Sequence, residues 1–64
     1  MKRKQLISFL IASGCIFVRE GANHTVFANM IKQKVSTVPR HNEIDDFLVR
    51  KICKDLEISN PFKR

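Results

Sequence analysis

The sequence predicts a single small α+β domain in the order α-β-β-β-α, a three-stranded antiparallel sheet with both helices on one face. Three observations lead there. Apolar residues recur at helical spacing near both ends of the chain, at Leu6, Phe9 and Leu10 and again at Phe47, Leu48, Ile52, Cys53 and Leu56. Between them lie three short runs rich in strand formers and bounded by turn residues. The links between those runs are short enough for hairpins, which make neighbouring strands antiparallel. With no repeat, linker or low-complexity segment, residues 1–58 form one domain and residues 59–64 a short basic tail.

The first helix is expected over Lys2 to Ser13, with Ile7 and Ile11 widening its apolar stripe and Gly14 as the stop. Its basic first turn, Lys2, Arg3 and Lys4, opposes the helix dipole but suits contact with phosphates. Cys15 to Glu20 reads as a strand, and Gly21-Ala22-Asn23 as a tight turn whose Gly and Asn tolerate positive φ. The second strand, His24 to Ala28, alternates so that His24, Val26 and Ala28 share one face and Thr25 and Phe27 the other. Asn29 to Gln33 is a second hairpin loop, followed by a strand over Val35 to Val38 that Pro39 ends. After the polar crossing Arg40 to Ile44, the last helix starts at Asn42 or Asp45 as N-cap. Acidic residues lie near its start and Arg50, Lys51 and Lys54 further along, in the sense the dipole favours. Helices covering one sheet face leave the other free to meet a ligand.

A 64-residue chain buries only about 60% of the surface its unfolded form exposes, so its core is small. Twelve Lys plus Arg against six Asp plus Glu give a formal net charge of +6, which attracts polyanions of any kind. RNA, DNA, an anionic membrane surface and an acidic protein all qualify. Cys15 and Cys53 are too few and too far apart for a structural zinc site, and read as reduced core residues of a cytoplasmic protein. Met1-Lys2-Arg3-Lys4 before the apolar run Leu6 to Val18 imitates a secretory signal, with Ala12-Ser13-Gly14-Cys15 like a lipoprotein processing site. That run is shorter than the about 20 residues of a membrane span. Removing it would leave about 50 residues with little to form a core, so it is expected to stay.

His24, at the entry of a strand directly after a Gly-containing turn, is the first candidate for chemistry, because an imidazole gives or takes a proton near neutral pH. The bland alternative is a surface or packing histidine. Lys32 and Lys34, on or beside the second hairpin loop, can project toward a polyanion or simply keep a sheet edge solvated.

The helix and strand order on a basic small domain resembles the double-stranded-RNA-binding fold. More specifically, Val18-Arg19-Glu20-Gly21 with His24-Thr25-Val26-Phe27, then Val38-Pro39-Arg40-His41-Asn42-Glu43-Ile44 and Arg50-Lys51-Ile52-Cys53-Lys54-Asp55-Leu56, resembles the HicA family of mRNA interferase toxins over roughly residues 3 to 58. The resemblance implies a toxin of a type II toxin–antitoxin pair that cleaves mRNA without a metal or other cofactor, with His24 at the position of the catalytic histidine. It implies an acidic HicB-type antitoxin as partner, covering the basic face and the His24 site, and no membrane. Family members commonly carry Gly-Ser immediately before the histidine, where this chain has Gly21-Ala22-Asn23. Glu57 also stands where a C-capping Gly would be comfortable.

A single histidine suits such a reaction because RNA carries its own nucleophile. A base that takes the 2′-hydroxyl proton lets that oxygen attack the adjacent phosphate, giving a 2′,3′-cyclic phosphate and a free 5′-hydroxyl. Positioned acid–base help of this kind contributes about 10²–10⁴-fold, and cations near the phosphate stabilise its developing charge. Arg40, Lys32 and Lys34 are the candidates for those contacts, and His41 is a loop or partner-contact residue or a second proton donor. Without Trp or Tyr, and with Phe9, Phe17 and Phe47 candidates for the core, RNA recognition rests mainly on salt-sensitive phosphate contacts. The alternative reading is a module of the same fold that holds RNA without cutting it.

Overall fold

In a computed structural model, which describes residues 1–62, the chain folds as α1 (Arg3–Ala12), β1 (Ile16–Glu20), β2 (His24–Asn29), β3 (Lys34–Pro39) and α2 (Asp46–Asp55). The strands form one antiparallel sheet in the order β1-β2-β3, so β2 is central. Leu6 and Leu10 of α1 and Val49, Ile52, Cys53 and Leu56 of the α2 region bury into one cluster with Phe27 and Val38. Val38 stands opposite Thr25, next to Phe27 on the same face of β2, so both helices cover one side of the sheet. Each fully buried aliphatic side chain there contributes about 1.5–3 kcal/mol.

The apolar run that imitates a secretory signal is therefore α1 and β1, with Leu6 and Leu10 at the centre of the core. No helix among the described residues is long and apolar enough to cross a membrane. Residues 59–62 end in a short turn against the helices, where Arg50 of α2 lies over the Phe62 ring, 5.2 Å from its centre. The basic end expected at Lys63 and Arg64 lies outside the described residues.

Several local expectations change. Phe47, expected in the core, is 72% exposed, because the buried arc of α2 is Val49, Ile52 and Cys53 and Phe47 projects from the far side. Phe17 is exposed too, and meets the buried Phe27 edge to face at 6.2 Å. Asn29 belongs to β2 rather than to the following loop. Its side chain is buried and satisfied, donating through Nδ2 to the Leu56 carbonyl at 2.7 Å while Oδ1 accepts from the Lys32 amide at 3.3 Å. The last helix starts from Asp45, whose side chain makes no capping hydrogen bond.

Pro39 continues β3 instead of ending it, directly opposite His24. The His24 carbonyl accepts from the Gly21 amide at 2.7 Å and so faces β1. Across an antiparallel pair, that turns the Pro39 backbone groups away from β2, where a missing N–H costs no ladder hydrogen bond.

Both helices end in the same way. At α1, the Gly14 amide donates to the Ile11 carbonyl and the Cys15 amide to the Leu10 carbonyl; at α2, the Glu57 amide donates to Lys54 and the Ile58 amide to Cys53. This is the paired closure that requires positive φ just past the C-cap. Gly14 meets the requirement at φ 95°, whereas Glu57 adopts 56° with a full side chain.

The chain start also pairs with the crossing before α2, an interaction that the periodicity of the sequence does not show. Ile44 donates to the Met1 carbonyl and Arg3 to the Asn42 carbonyl, each at 2.8 Å, with Lys2 bridging Glu43 between them. The Lys2 ammonium lies 3.1 Å from the Glu43 carboxylate, and its hydrogen bond holds that carboxyl below its ordinary pKa.

Two outcomes follow from these features. Glu57→Gly removes a non-glycine residue from positive φ at the cost of an exposed ion pair with Lys34, and is expected to stabilise the fold by about 1 kcal/mol; thermal melting followed by circular dichroism should show the midpoint rising by about 4–8 °C. Burial raises the pKa of the Cys15 and Cys53 thiols, with Cys15 adding to the effect at Cys53. Unfolded thiols then ionise at lower pH than folded ones, so the contribution is full below the ordinary value of 9.0 and is lost as pH rises through the raised folded values. Urea midpoints measured upward from pH 8 should fall above about pH 9 in wild type and less in a Cys15→Ala, Cys53→Ala protein.

Candidate active site

The sheet face away from the helices is uncovered, and alternation along β2 aims His24, Val26 and Ala28 at it. Ile16 and Val35 stand opposite Ala28 on either side and shield that small side chain to 6% exposure. His24 lies exposed at the end of this face, beside the β1–β2 turn.

That turn is held by close backbone approach rather than by unusual dihedrals. Neither Gly21 nor Asn23 has positive φ, contrary to the expectation for this turn; in the other hairpin, Gln33 takes it at 56°. Instead the Gly21 amide donates to the His24 carbonyl at 2.7 Å, the bond that closes the Gly21-Ala22-Asn23 turn. A Cβ placed on Gly21 would stand 3.2 Å from the same carbonyl oxygen, closer than side chains normally approach backbone. A side chain at Gly21 would have to displace that carbonyl by a few tenths of an ångström.

Two guanidinium groups converge on this turn. Arg40, in the loop after β3, reaches the Gly21 carbonyl through Nη1 in a long contact of 3.5 Å. Arg19 places its Nη1 4.0 Å from the position a Gly21 Cβ would occupy. Arg19 gets there through a β-bulge, since the register slips between Phe17 and Arg19 and sets Val18 and Arg19 together against Val26. Strict alternation would have sent Arg19 to the helix side opposite Thr25. The bulge returns it to the face of His24.

The other residues singled out from the sequence lie elsewhere. Lys32 sits in the β2–β3 loop, at the opposite end of β2 from His24, about 17 Å along the strand at about 3.4 Å per residue. Lys34 shares that end and extends on the helix side, where its ammonium lies 3.5 Å from the Glu57 carboxylate. His41 is exposed in the crossing beside Arg40. The fold therefore gathers Arg19 and Arg40 at the His24 turn and places Lys32 and Lys34 away from it. Arg19 escaped the sequence reading because a bulge leaves no composition signal; its place beside the Gly21 turn was the available hint.

Among the described residues no three His, Cys, Asp or Glu side chains gather into a cluster able to hold a metal ion. An exposed imidazole next to a turn that two guanidinium groups reach is suited to an anionic substrate, the cations drawing in a phosphate and the ring able to exchange a proton.

Comparison with known protein families finds a match to the model described as HicA toxin of bacterial toxin-antitoxin, over residues 3–58. Neither the curated proteins nor the solved structures yield a match.

Gly21→Ala is expected to push the turn off the His24 carbonyl and destabilise the domain by about 1–3 kcal/mol. Amide and imidazole resonances of residues 21–25 should shift in heteronuclear NMR spectra while those of α2 stay in place.

Proposed function

From the premise that the chain belongs to the HicA family, the toxins of bacterial toxin–antitoxin pairs, we propose that it is an RNA endonuclease that cleaves mRNA with His24 as its proton-transfer group. The observation that carries this reading is the exposed His24 on the uncovered sheet face, with Arg19 and Arg40 against the turn that precedes it. His24 takes the proton of a ribose 2′-hydroxyl, and the resulting oxygen attacks the neighbouring phosphorus. The bond to the 5′-oxygen of the next nucleotide breaks, that oxygen takes a proton from solvent as it leaves, and the protonated His24 returns its proton to solvent. The arginines stabilise the charge that builds on the phosphoryl oxygens. The reaction needs no external nucleophile, so cleavage is expected to persist in excess EDTA.

Substrate binding rests mainly on phosphate contacts, with His41 beside Arg40 and the distant Lys32 and Lys34 as further contact points along a bound strand. Affinity should therefore fall steeply with salt. The same positive surface fits an acidic antitoxin of the HicB type, whose association would be fast and salt-dependent. mRNA as substrate puts the protein in the cytoplasm. One observation favours the second reading, a module that binds RNA without cutting it: the Ala22-Asn23 pair replaces the Gly-Ser that commonly precedes the histidine in the resembled family.

Induced expression of wild type and His24→Ala in a bacterial host, with soluble protein quantified for both, separates the readings. Wild type should arrest growth and degrade RNA, and an equally abundant His24→Ala should do neither. Equal behaviour of the two would remove His24 from the chemistry and favour the binding module.

A further inference from the structure

Behind the candidate site, on the helix side of the sheet, one side chain from α1 reaches the ends of two strands. Arg3 donates from Nε to the Pro39 carbonyl at 3.0 Å and from Nη2 to the Thr25 hydroxyl at 2.5 Å. The Thr25 hydroxyl in turn donates a hydrogen bond to the Glu20 carboxylate at 2.6 Å. These contacts lie at the His24 end of the sheet, because Pro39 is the register partner of His24, Thr25 follows it, and Glu20 is the register partner of Thr25. Arg3 is itself anchored, since its amide donates to the Asn42 carbonyl in the ladder formed by the chain start.

Physical chemistry makes this arrangement specific to arginine. Thr25 is 3% exposed, so its hydroxyl needs partners, and here it has a donor and an acceptor. The outward Pro39 carbonyl lies at an edge with no further strand to donate to it. A planar guanidinium offers donors in a fixed fork that spans both acceptors at once. A lysine ammonium is a point donor on a flexible stem and holds no such geometry.

We propose that Arg3 is a positioning residue for His24: by clamping Pro39 and Thr25 together, and Glu20 through Thr25, it fixes where the imidazole stands relative to the turn and its arginines. The proposal rests on the reading of His24 as the proton-transfer group and extends it to a residue that does not face the substrate. Misplacement of a reacting group by about 1 Å costs up to about 100-fold in rate, whereas phosphate binding by Arg19, which the clamp does not hold, does not depend on that placement.

The experiment compares purified wild type, Arg3→Lys, Thr25→Val, the double variant and His24→Ala on a single-stranded RNA oligonucleotide, with thermal midpoints and imidazole NMR spectra for each. Arg3→Lys keeps the charge, and Thr25→Val keeps the shape. Each is expected to lower kcat by about 10- to 100-fold with KM within about threefold of wild type. The double variant should lose no more than the worse single one, because both act through one clamp.

Rescue of kcat by Arg3→Lys would overturn the proposal, as would multiplicative losses in the double variant or a loss confined to KM. So would a fall in kcat that only mirrors the unfolded fraction at the assay temperature. Should Arg3→Lys fail to fold, Thr25→Val alone decides by the same criteria. If wild type and His24→Ala cleave equally, the catalytic reading fails separately, and the NMR arm still tests the clamp: displaced His24 ring resonances in Arg3→Lys and Thr25→Val support it, and unmoved ones refute it.

Discussion

Both helices of this 64-residue chain pack on one face of its sheet, and the rest of the structure is arranged around that one-sided packing. Leu6 and Leu10 from one helix and Val49, Ile52, Cys53 and Leu56 from the other region close over Phe27 and Val38, while Ile16 and Val35 stand exposed on the opposite face with no helix over them. The strand period of two then divides β2 between two environments. Thr25, Phe27 and Asn29 enter the covered side, and His24 stays in water. His24 is thus exposed because both helices pack on the other side of the sheet.

The same division creates a difficulty at Thr25 and Asn29, polar residues sent inside. Each is resolved by a specific partner rather than by solvent, Arg3 with Glu20 for the first and the Leu56 carbonyl for the second. No buried side-chain polar atom among the described residues lacks a hydrogen-bond partner. These polar contacts fasten the sheet to the helices at opposite ends of β2. They add hydrogen-bonded links at both ends of β2 to the small apolar core.

The sequence made the helices and strands legible because their periodicities are strong and local. The helix-side and open-side faces of β2 were legible for the same reason, as was the strained C-terminal end of α2 at Glu57, which the structure confirms with a positive φ. Phe47 was misplaced because a helical stripe drawn from composition alone does not show where its centre lies, and Val49 shifts that centre by enough to turn Phe47 outward. Pro39 reads from the sequence as a strand end because a proline ordinarily interrupts a ladder; its harmlessness depends on which way the opposite His24 carbonyl points. Membership of the HicA family, carried by motifs spread over residues 3–58, was legible as well.

What the sequence determined by itself is the order of elements, the sidedness of the central strand and the position of His24 at its entry, since these depend on neighbours within a few residues. What only the tertiary structure decided is the company His24 keeps. Arg19 arrives through a bulge at Val18, Arg40 through the return of β3, and Arg3 through pairing of the chain start with Asn42 to Ile44. Lys32 and Lys34 are carried to the far end by the direction of β2. Each of these placements depends on strand register and hairpin geometry, which bring together residues far apart in the chain and leave no mark on the local pattern of either partner.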